Sequence, residues 1–186
     1  MAVSVTPERR RFTIEEYEKM VATGILAQDD RVELIEGEII AMSPIGDPHA
    51  AIVTNLTHLL VHAVGERARV QVQGPARVPP RSKPQPDLAL LRPRSYRHRG
   101  ATTSDVLLVI EVADTSLHYD RTVKLRLYAR AGIPEYWIVD VNTDTLEVFR
   151  SPAGERYAKR QRPASGETVA PLEVPDAVIP IDAIFA

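Results

Sequence analysis

The 186-residue sequence contains no cysteine. Its absence excludes a disulfide framework and any metal site built on thiolates, and it fits a reducing compartment. Long hydrophobic runs are lacking as well, since no apolar stretch could cross a bilayer and Met1 to Arg11 has no apolar centre typical of a signal peptide. We therefore expect a soluble cytoplasmic protein without a membrane partner.

A large excess of one charge is also missing. The formal net charge is −2, so any surface that binds nucleic acid must be a local patch. The sequence has neither a glycine-rich phosphate loop nor an internal repeat. A hydrophobic content of 44% in a chain of this length predicts one domain over residues 1–186, with its core at about residues 12–150.

The first part of the chain alternates helical and strand patterns. A capping box at Thr13 to Glu16 opens a short helix that ends at Gly24. A hairpin follows over Arg31 to Ser43 and turns at Glu36-Gly37. Its acids Glu33 and Glu36 are either solvated hairpin residues, the commoner outcome, or ligands.

A long helix is predicted from Asp47, as N-cap, to about Gly65, with Pro48 at the first helical position. His49 lies in its first turn, where a solvent-facing position is commoner than a role in a site. Residues 69–79 then form one strand, or two with a break at Gly74-Pro75.

The centre of the chain is a buried strand with one acid in it. Val106 to Val112 is apolar except for Glu111, which predicts a central strand buried on both faces. A carboxylate there loses most of its hydration and must be neutralised by a proton, a cation or a metal. Glu111 is therefore the first candidate site residue.

The next segment, Asp120 to Ala131, has helical periodicity and ends at Gly132. Lys124 heads its apolar stripe, which continues with Leu127 and Tyr128. Two interpretations are open: Lys124 reaches back to Glu111, or it is a surface lysine paired with Asp120 at i, i+4. Strands over Glu135 to Val141 and Leu146 to Arg150 follow, and the remainder predicts short edge strands and loop.

A second acid opens the preceding apolar strand, Asp87 to Leu91. If this strand pairs antiparallel with the central one, Asp87 faces Glu111 in the register that opposes Leu91 to Leu107. Two close buried carboxylates call for a divalent cation. Oxygen ligands without cysteine favour Mg²⁺ or Mn²⁺ over zinc.

Asp87, Glu111 and Lys124 together suit phosphodiester hydrolysis. The cation would neutralise developing charge and activate a water that the lysine orients or deprotonates. A purely structural cluster of Asp, Lys and Glu is the alternative that these residues alone leave open.

The same residues carry a family resemblance. Pro86-Asp87 followed by Glu111-Val112-Ala113 resembles the signature of the PD-(D/E)XK nuclease superfamily. The segments ELIEGEI, PDLALL, LLVIEVADTS and DRTVKLRLYARAGIPEYWIVD, with His49 between the first two, resemble the Uma-type putative restriction endonuclease family over nearly the whole chain. Each motif is short, and the specificity lies in their order and spacing.

The resemblance implies an α/β (α+β) fold: a restriction endonuclease-like mixed β-sheet flanked by helices, with an N-terminal hairpin and C-terminal edge strands. It also implies a Mg²⁺ site at Asp87 and Glu111, with the Val112 carbonyl as a further ligand. The superfamily lysine position is Ala113 here, and in the Uma-type pattern Lys124 takes that part. A further acidic residue maps best to Glu36 and next to Glu33.

Three functions compete. The first is a Mg²⁺-dependent DNA endonuclease that contacts phosphates through Arg81 and Lys83, with the basic loop of residues 92–99 as either a further contact or a solvated charge run. The second, favoured by Ala113, is a non-cleaving nuclease fold that serves as a DNA-binding or assembly module. The third is a phosphohydrolase acting on a small nucleotide. Two-strand cleavage would be easiest for a homodimer.

Overall fold

A computed structural model describes residues 9–27 and 29–186, so most of the segment inspected for a signal peptide lies outside the described residues. The chain forms two compact units. The first draws on the described residues up to 42 and on residues 77–84, and the second on residues 43–76 and 85–186. The expectation of one domain stays a prediction.

The first unit contains the predicted short helix and hairpin. Helix α1 (Ile14–Ala22) starts at a capping box in which Thr13 and Glu16 each accept a backbone N–H of the other. Strands β1 (Val32–Ile35) and β2 (Glu38–Ala41) pair antiparallel, and Glu36 and Gly37 make the turn with φ of 50° and 83°. Both predictions are confirmed. A small core of apolar side chains holds the unit together, including Ile14, Tyr17 and Leu34.

The second unit is built on a six-stranded mixed sheet, in the order β10, β9, β8, β7, β5, β3. Strands β7 and β8 are parallel and the other neighbouring pairs are antiparallel. The sheet strands are β3 (Arg69–Val72), β5 (Leu88–Leu91), β7 (Val106–Ala113), β8 (Glu135–Asp140), β9 (Thr145–Ala153) and β10 (Arg156–Gln161). In the sequence, the short strand β4 (Ala76–Arg77) lies between β3 and β5, and the short strand β6 (Ala101–Thr102) lies between β5 and β7. A break at Gly74-Pro75 divides β3 from β4.

Helix α2 (Asp47–Val64) covers one face of this sheet with an apolar stripe that includes Leu56 and Leu60. Its N-cap is Gly46 rather than Asp47, so that prediction was wrong by one residue. Asp47 is the first helical residue, where its charge still favours the positive helix end, and no side chain caps this helix.

The other face is covered by residues 117–130, which form one helical segment, named here the site helix. It consists of α3 (Leu117–Tyr119), a π-helical turn (Asp120–Lys124) and α4 (Leu125–Arg130). The Leu125 N–H donates to the Asp120 carbonyl five residues earlier, which defines the wider turn. The predicted helix began at Asp120, three residues late, and sequence periodicity gave no signal for the π turn. Such turns are frequent at functional sites.

The C-terminal part supplies the predicted edge strands. After β10 come β11 (Thr168–Val169), β12 (Ile179–Pro180) and the short helix α5 (Ile181–Ile184). Their buried residues join the core beside α2, including Val169, Ile179 and Ile184. Among residues 9–27 and 29–186, no helix is long and apolar enough to cross a membrane. The mixed sheet between helices, the hairpin and the edge strands confirm the predicted architecture.

Candidate active site

Strand pairing brings the two predicted acids to one end of the sheet. Leu88, Ala89 and Leu90 pair with Ile110, Val109 and Leu108, which is the predicted register, and Asp87 and Glu111 are the next residues beyond the Leu88–Ile110 pair. This part of the predicted register is confirmed. A bulge then pairs Leu91 with Val106, so the predicted Leu91–Leu107 pair was wrong. The bulge lies at the far end of the strand and leaves the acids aligned.

Glu111 is buried and accepts two hydrogen bonds from the site helix. Lys124 Nζ lies 3.1 Å from Glu111 Oε1, and the Tyr128 hydroxyl donates to the same oxygen at 2.8 Å. The side chains of Lys124 and Glu111 are only 7% and 4% exposed. The alternative of a surface lysine is therefore wrong, although Asp120 Oδ1 is also within 4.0 Å of Lys124.

Asp120 is a second buried carboxylate beside Lys124. The Ser116 hydroxyl donates to Asp120 Oδ2 at 2.6 Å, and the Tyr136 hydroxyl donates to the Asp120 carbonyl at 3.3 Å. Burial raises the pKa of Tyr136 well above its usual range, and the charges of Asp120 and Glu111 act in the same direction. Tyr136 is therefore a neutral hydrogen-bond donor at physiological pH.

Asp87 is held from two sides. The backbone N–H of Val112 donates to Asp87 Oδ2 at 2.9 Å, and His49 Nε2 lies 3.1 Å from Asp87 Oδ1. The side chains of His49 and Asp87 are each 13% exposed. The commoner solvent-facing position expected for His49 is thus not the one observed, since the first turn of α2 directs its ring to Asp87.

These groups offer oxygen donors for a hard cation. Asp87, just before β5, and Glu111, in β7, supply two carboxylates, and Mg²⁺ sites often use one or two carboxylates and complete the coordination with water and phosphate oxygens. Within residues 9–27 and 29–186, no group of three or more His, Asp or Glu residues is placed to hold a metal ion. The oxygen donors of the two carboxylates suit a hard cation such as Mg²⁺ or Mn²⁺.

The other predicted residues lie in the first unit. Glu33 is 3% exposed in β1, so the expectation of a solvated side chain was wrong for it, and Glu36 is half-buried in the turn. Lys83 Nζ forms a 2.8 Å ion pair with Glu18, and Arg81 is exposed. Burial alone would raise the pKa of Glu18, but hydrogen bonds and charges from Lys83 and Arg77 outweigh it and lower the pKa.

Several arginines of the basic loop after β5 contact residues just before β7. Asp105 is fully buried and is contacted by the guanidinium groups of Arg94 and Arg99, the latter at 3.5 Å. Arg92 Nε donates to the Ser104 carbonyl at 3.2 Å. These bonds fix the loop to the start of β7, the end opposite Glu111.

Sequence reasoning missed Tyr128 and Asp120 as members of the site. Tyr128 follows Lys124 by four residues on one helical face, so its spacing was the available signal. Asp120 was considered only as a surface partner of the lysine. In the structure it is buried and lies inside a site helix that starts three residues earlier than periodicity indicated.

Comparison with known proteins bears on the fold and on the family. A crystal structure of a putative nuclease belonging to DUF820 from Anabaena variabilis superposes with a TM-score of 0.72 at 18% sequence identity. The match covers 94% of this chain and 97% of that one, and at this identity it establishes the fold alone. No curated protein sequence matches the chain. The family model described as Uma2, putative restriction endonuclease, matches residues 14–182, and the chain therefore belongs to the Uma2 family.

Proposed function

We propose that this protein is a Mg²⁺- or Mn²⁺-dependent DNA endonuclease that hydrolyses phosphodiester bonds. The observation that carries the proposal is the buried contact of Lys124 with Glu111, one strand away from Asp87. Burying an ion pair costs desolvation energy that its attraction often fails to repay, so it is weak support for a purely stabilising role. Membership in the Uma2 family supports the same reaction class.

Asp87, Glu111 and the Val112 carbonyl are the residues that would hold the cation. When bound, it would neutralise charge on the phosphate and make a water more acidic. The chain orients these ligands itself: the Val112 N–H and His49 hold the two oxygens of Asp87, and Tyr128 holds Glu111. Fixed ligands of this kind reduce the reorganisation needed during reaction.

Lys124 is the candidate catalytic cation. Its ammonium group lies at the acidic end of the sheet, where it could orient the attacking water or offset the phosphate charge. Ala113 lies on the same strand face as Glu111, and its apolar side chain is unable to supply a catalytic cation. In this proposal Lys124, from the site helix, supplies it instead.

Other assignments complete the proposal. Arg81 and Lys83 would contact DNA phosphates, and Glu36 or, second, Glu33 would be the additional acidic residue. A homodimer would allow two-strand cleavage. Localisation in the cytoplasm would give access to DNA.

The second candidate function is a non-cleaving DNA-binding or assembly module. The fully buried Ala113 favours it, because that position carries the lysine in the general superfamily pattern. In this case the contact of Lys124 with Glu111 and Asp120 would serve only the fold.

Metal titration by calorimetry tests the first candidate directly. Wild type should bind Mg²⁺ or Mn²⁺ and nick plasmid DNA in its presence. The double variant Asp87→Asn, Glu111→Gln should lose both properties while retaining its secondary structure. Equal metal affinity in the two proteins would remove the metal site from the proposal, and a wild type that never cleaves with either cation would leave the non-cleaving module.

A further inference from the structure

A second buried glutamate lies in the same row of the sheet as Glu111. Glu111 pairs with Ile138, and Ile138 pairs with Glu147, so all three side chains share one face. Two strand spacings, roughly 10 Å, separate the two glutamates. Glu147 therefore lies beside the candidate active site, on the side of the edge strand β10.

Two arginines converge on Glu147. Arg121, from the π turn of the site helix, donates through Nε at 3.3 Å and through Nη2 at 2.7 Å. Arg160, from β10, donates through Nη2 at 2.8 Å, and its guanidinium lies 5.7 Å from the centre of the Phe149 ring. These bonds fix both guanidinium groups in place.

The two guanidinium groups are partly exposed, although the glutamate that binds them is buried. The Glu147 side chain is 1% exposed, whereas Arg121 is 36% and Arg160 is 59% exposed. A guanidinium carries five N–H donors, and Arg160 gives one of them to Glu147. The arrangement presents two oriented forks to solvent, the geometry that suits phosphate oxygens.

The local charge favours an anion. Asp140 is a further acid near the pair, with Oδ2 4.0 Å from Arg121 Nη2. Strand β10 has the sequence RYAKRQ, with three basic residues and no acid, and Arg162 follows it. A polyanion that approaches this edge of the sheet therefore meets an excess of positive charge.

We infer that Arg121 and Arg160, oriented by Glu147, bind a backbone phosphate of duplex DNA beside the one that would be cleaved. The inference rests on the proposed function for its choice of DNA. Phosphate contacts of this kind would fix the position of the strand over Glu111 and Lys124 without reading its sequence. The alternative is a structural ion pair that joins β10 to the site helix.

Fluorescence anisotropy with a labelled mixed-sequence duplex, in EDTA over a range of salt concentrations, separates these alternatives without any cleavage. Arg121→Gln and Arg160→Gln should each weaken binding and reduce the salt slope by about 1, as expected for one lost phosphate contact. Arg160→Lys should keep the slope because it keeps the charge. The matched control is Arg130→Gln, which removes an exposed arginine of α4 that pairs with Glu155 at 3.0 Å.

Arg130→Gln should leave binding and slope unchanged, and the variant Arg81→Ala, Lys83→Ala measures the other proposed contacts in the same assay. Arg121→Gln and Arg160→Gln that bind like Arg130→Gln would overturn the inference, as would a wild type that does not bind the duplex. Arginine-dependent binding without plasmid nicking in Mg²⁺ would support this surface and remove the endonuclease proposal. Nicking with unchanged binding in both variants would remove this surface alone.

Discussion

Glu111 and Glu147 are two buried glutamates on one face of one sheet, and each contacts a cation from the same turn of the site helix. They differ in the partner. Lys124 is 7% exposed and lies enclosed with Glu111, whereas Arg121 and Arg160 remain 36% and 59% exposed around Glu147. A buried glutamate thus binds a buried cation at Glu111 and two partly exposed cations at Glu147.

The difference follows from the chemistry of the two cations. An ammonium is a compact and strongly hydrated charge, so enclosing it requires close partners such as Glu111 and Asp120. A guanidinium is planar and more weakly hydrated, and it can bond a carboxylate with one edge while the other edge faces water. The enclosed cluster should therefore dominate stability and chemistry, and the open one should act in binding.

Lys124→Met tests the enclosed cluster and should have the largest effect. Removal of the ammonium leaves a buried carboxylate without its cation, which costs about 3–5 kcal/mol of unfolding free energy. Metal-dependent cleavage, measured where the variant is folded, should fall by about 10²-fold or more. Urea denaturation and plasmid nicking provide the two measurements.

The double variant Lys124→Met, Glu111→Gln is the stability control, because it removes both charges and should regain part of the lost stability. A single variant with wild-type stability and cleavage would show that the enclosed cluster has neither role. The comparison with Glu147 would then lose its basis.

The sequence predicted the sheet well because its strands carry strong signals. Strands β5 and β7 are buried on both faces and consist almost entirely of Val, Leu, Ile and Ala, and the acids at their ends fixed a register that the pairing confirms. The apolar stripe left two positions open for Lys124, and its burial decides in favour of the contact with Glu111.

What the sequence could not show depends on local backbone geometry or on distant partners. The bulge at Leu91, the N-cap at Gly46 and the π turn each change a hydrogen-bonding pattern without changing the apolar periodicity. Glu147 meets Arg121 across 26 residues and Arg160 across an antiparallel strand pair, so no short motif contains the cluster.

Tyr128→Phe sharpens the comparison at an intermediate size. The variant removes a 2.8 Å hydrogen bond to the charged Glu111, and bonds to charged groups contribute about 1.5–3 kcal/mol. The matched control is Tyr157→Phe, in which a buried hydroxyl loses its 3.0 Å bond to the neutral Ile133 carbonyl. That loss should be only about 1 kcal/mol. Equal losses of stability in urea denaturation would mean that the hydrogen bond from Tyr128 to the charged Glu111 contributes no more than a bond to a neutral carbonyl.

Arg160→Gln should have the smallest effect on stability, about 0–1 kcal/mol, because exposed ion pairs contribute little. Arg160 is 59% exposed, and the two hydrogen bonds from Arg121 remain to balance Glu147 after the change. Urea denaturation of Arg160→Gln beside Lys124→Met gives the measurement. A loss as large as that of Lys124→Met would make Arg160 a structural partner of Glu147. A small loss of stability together with weaker DNA binding would instead show that the two clusters have different roles. Arg160 would then contribute little to the stability of the fold and would contribute to phosphate binding.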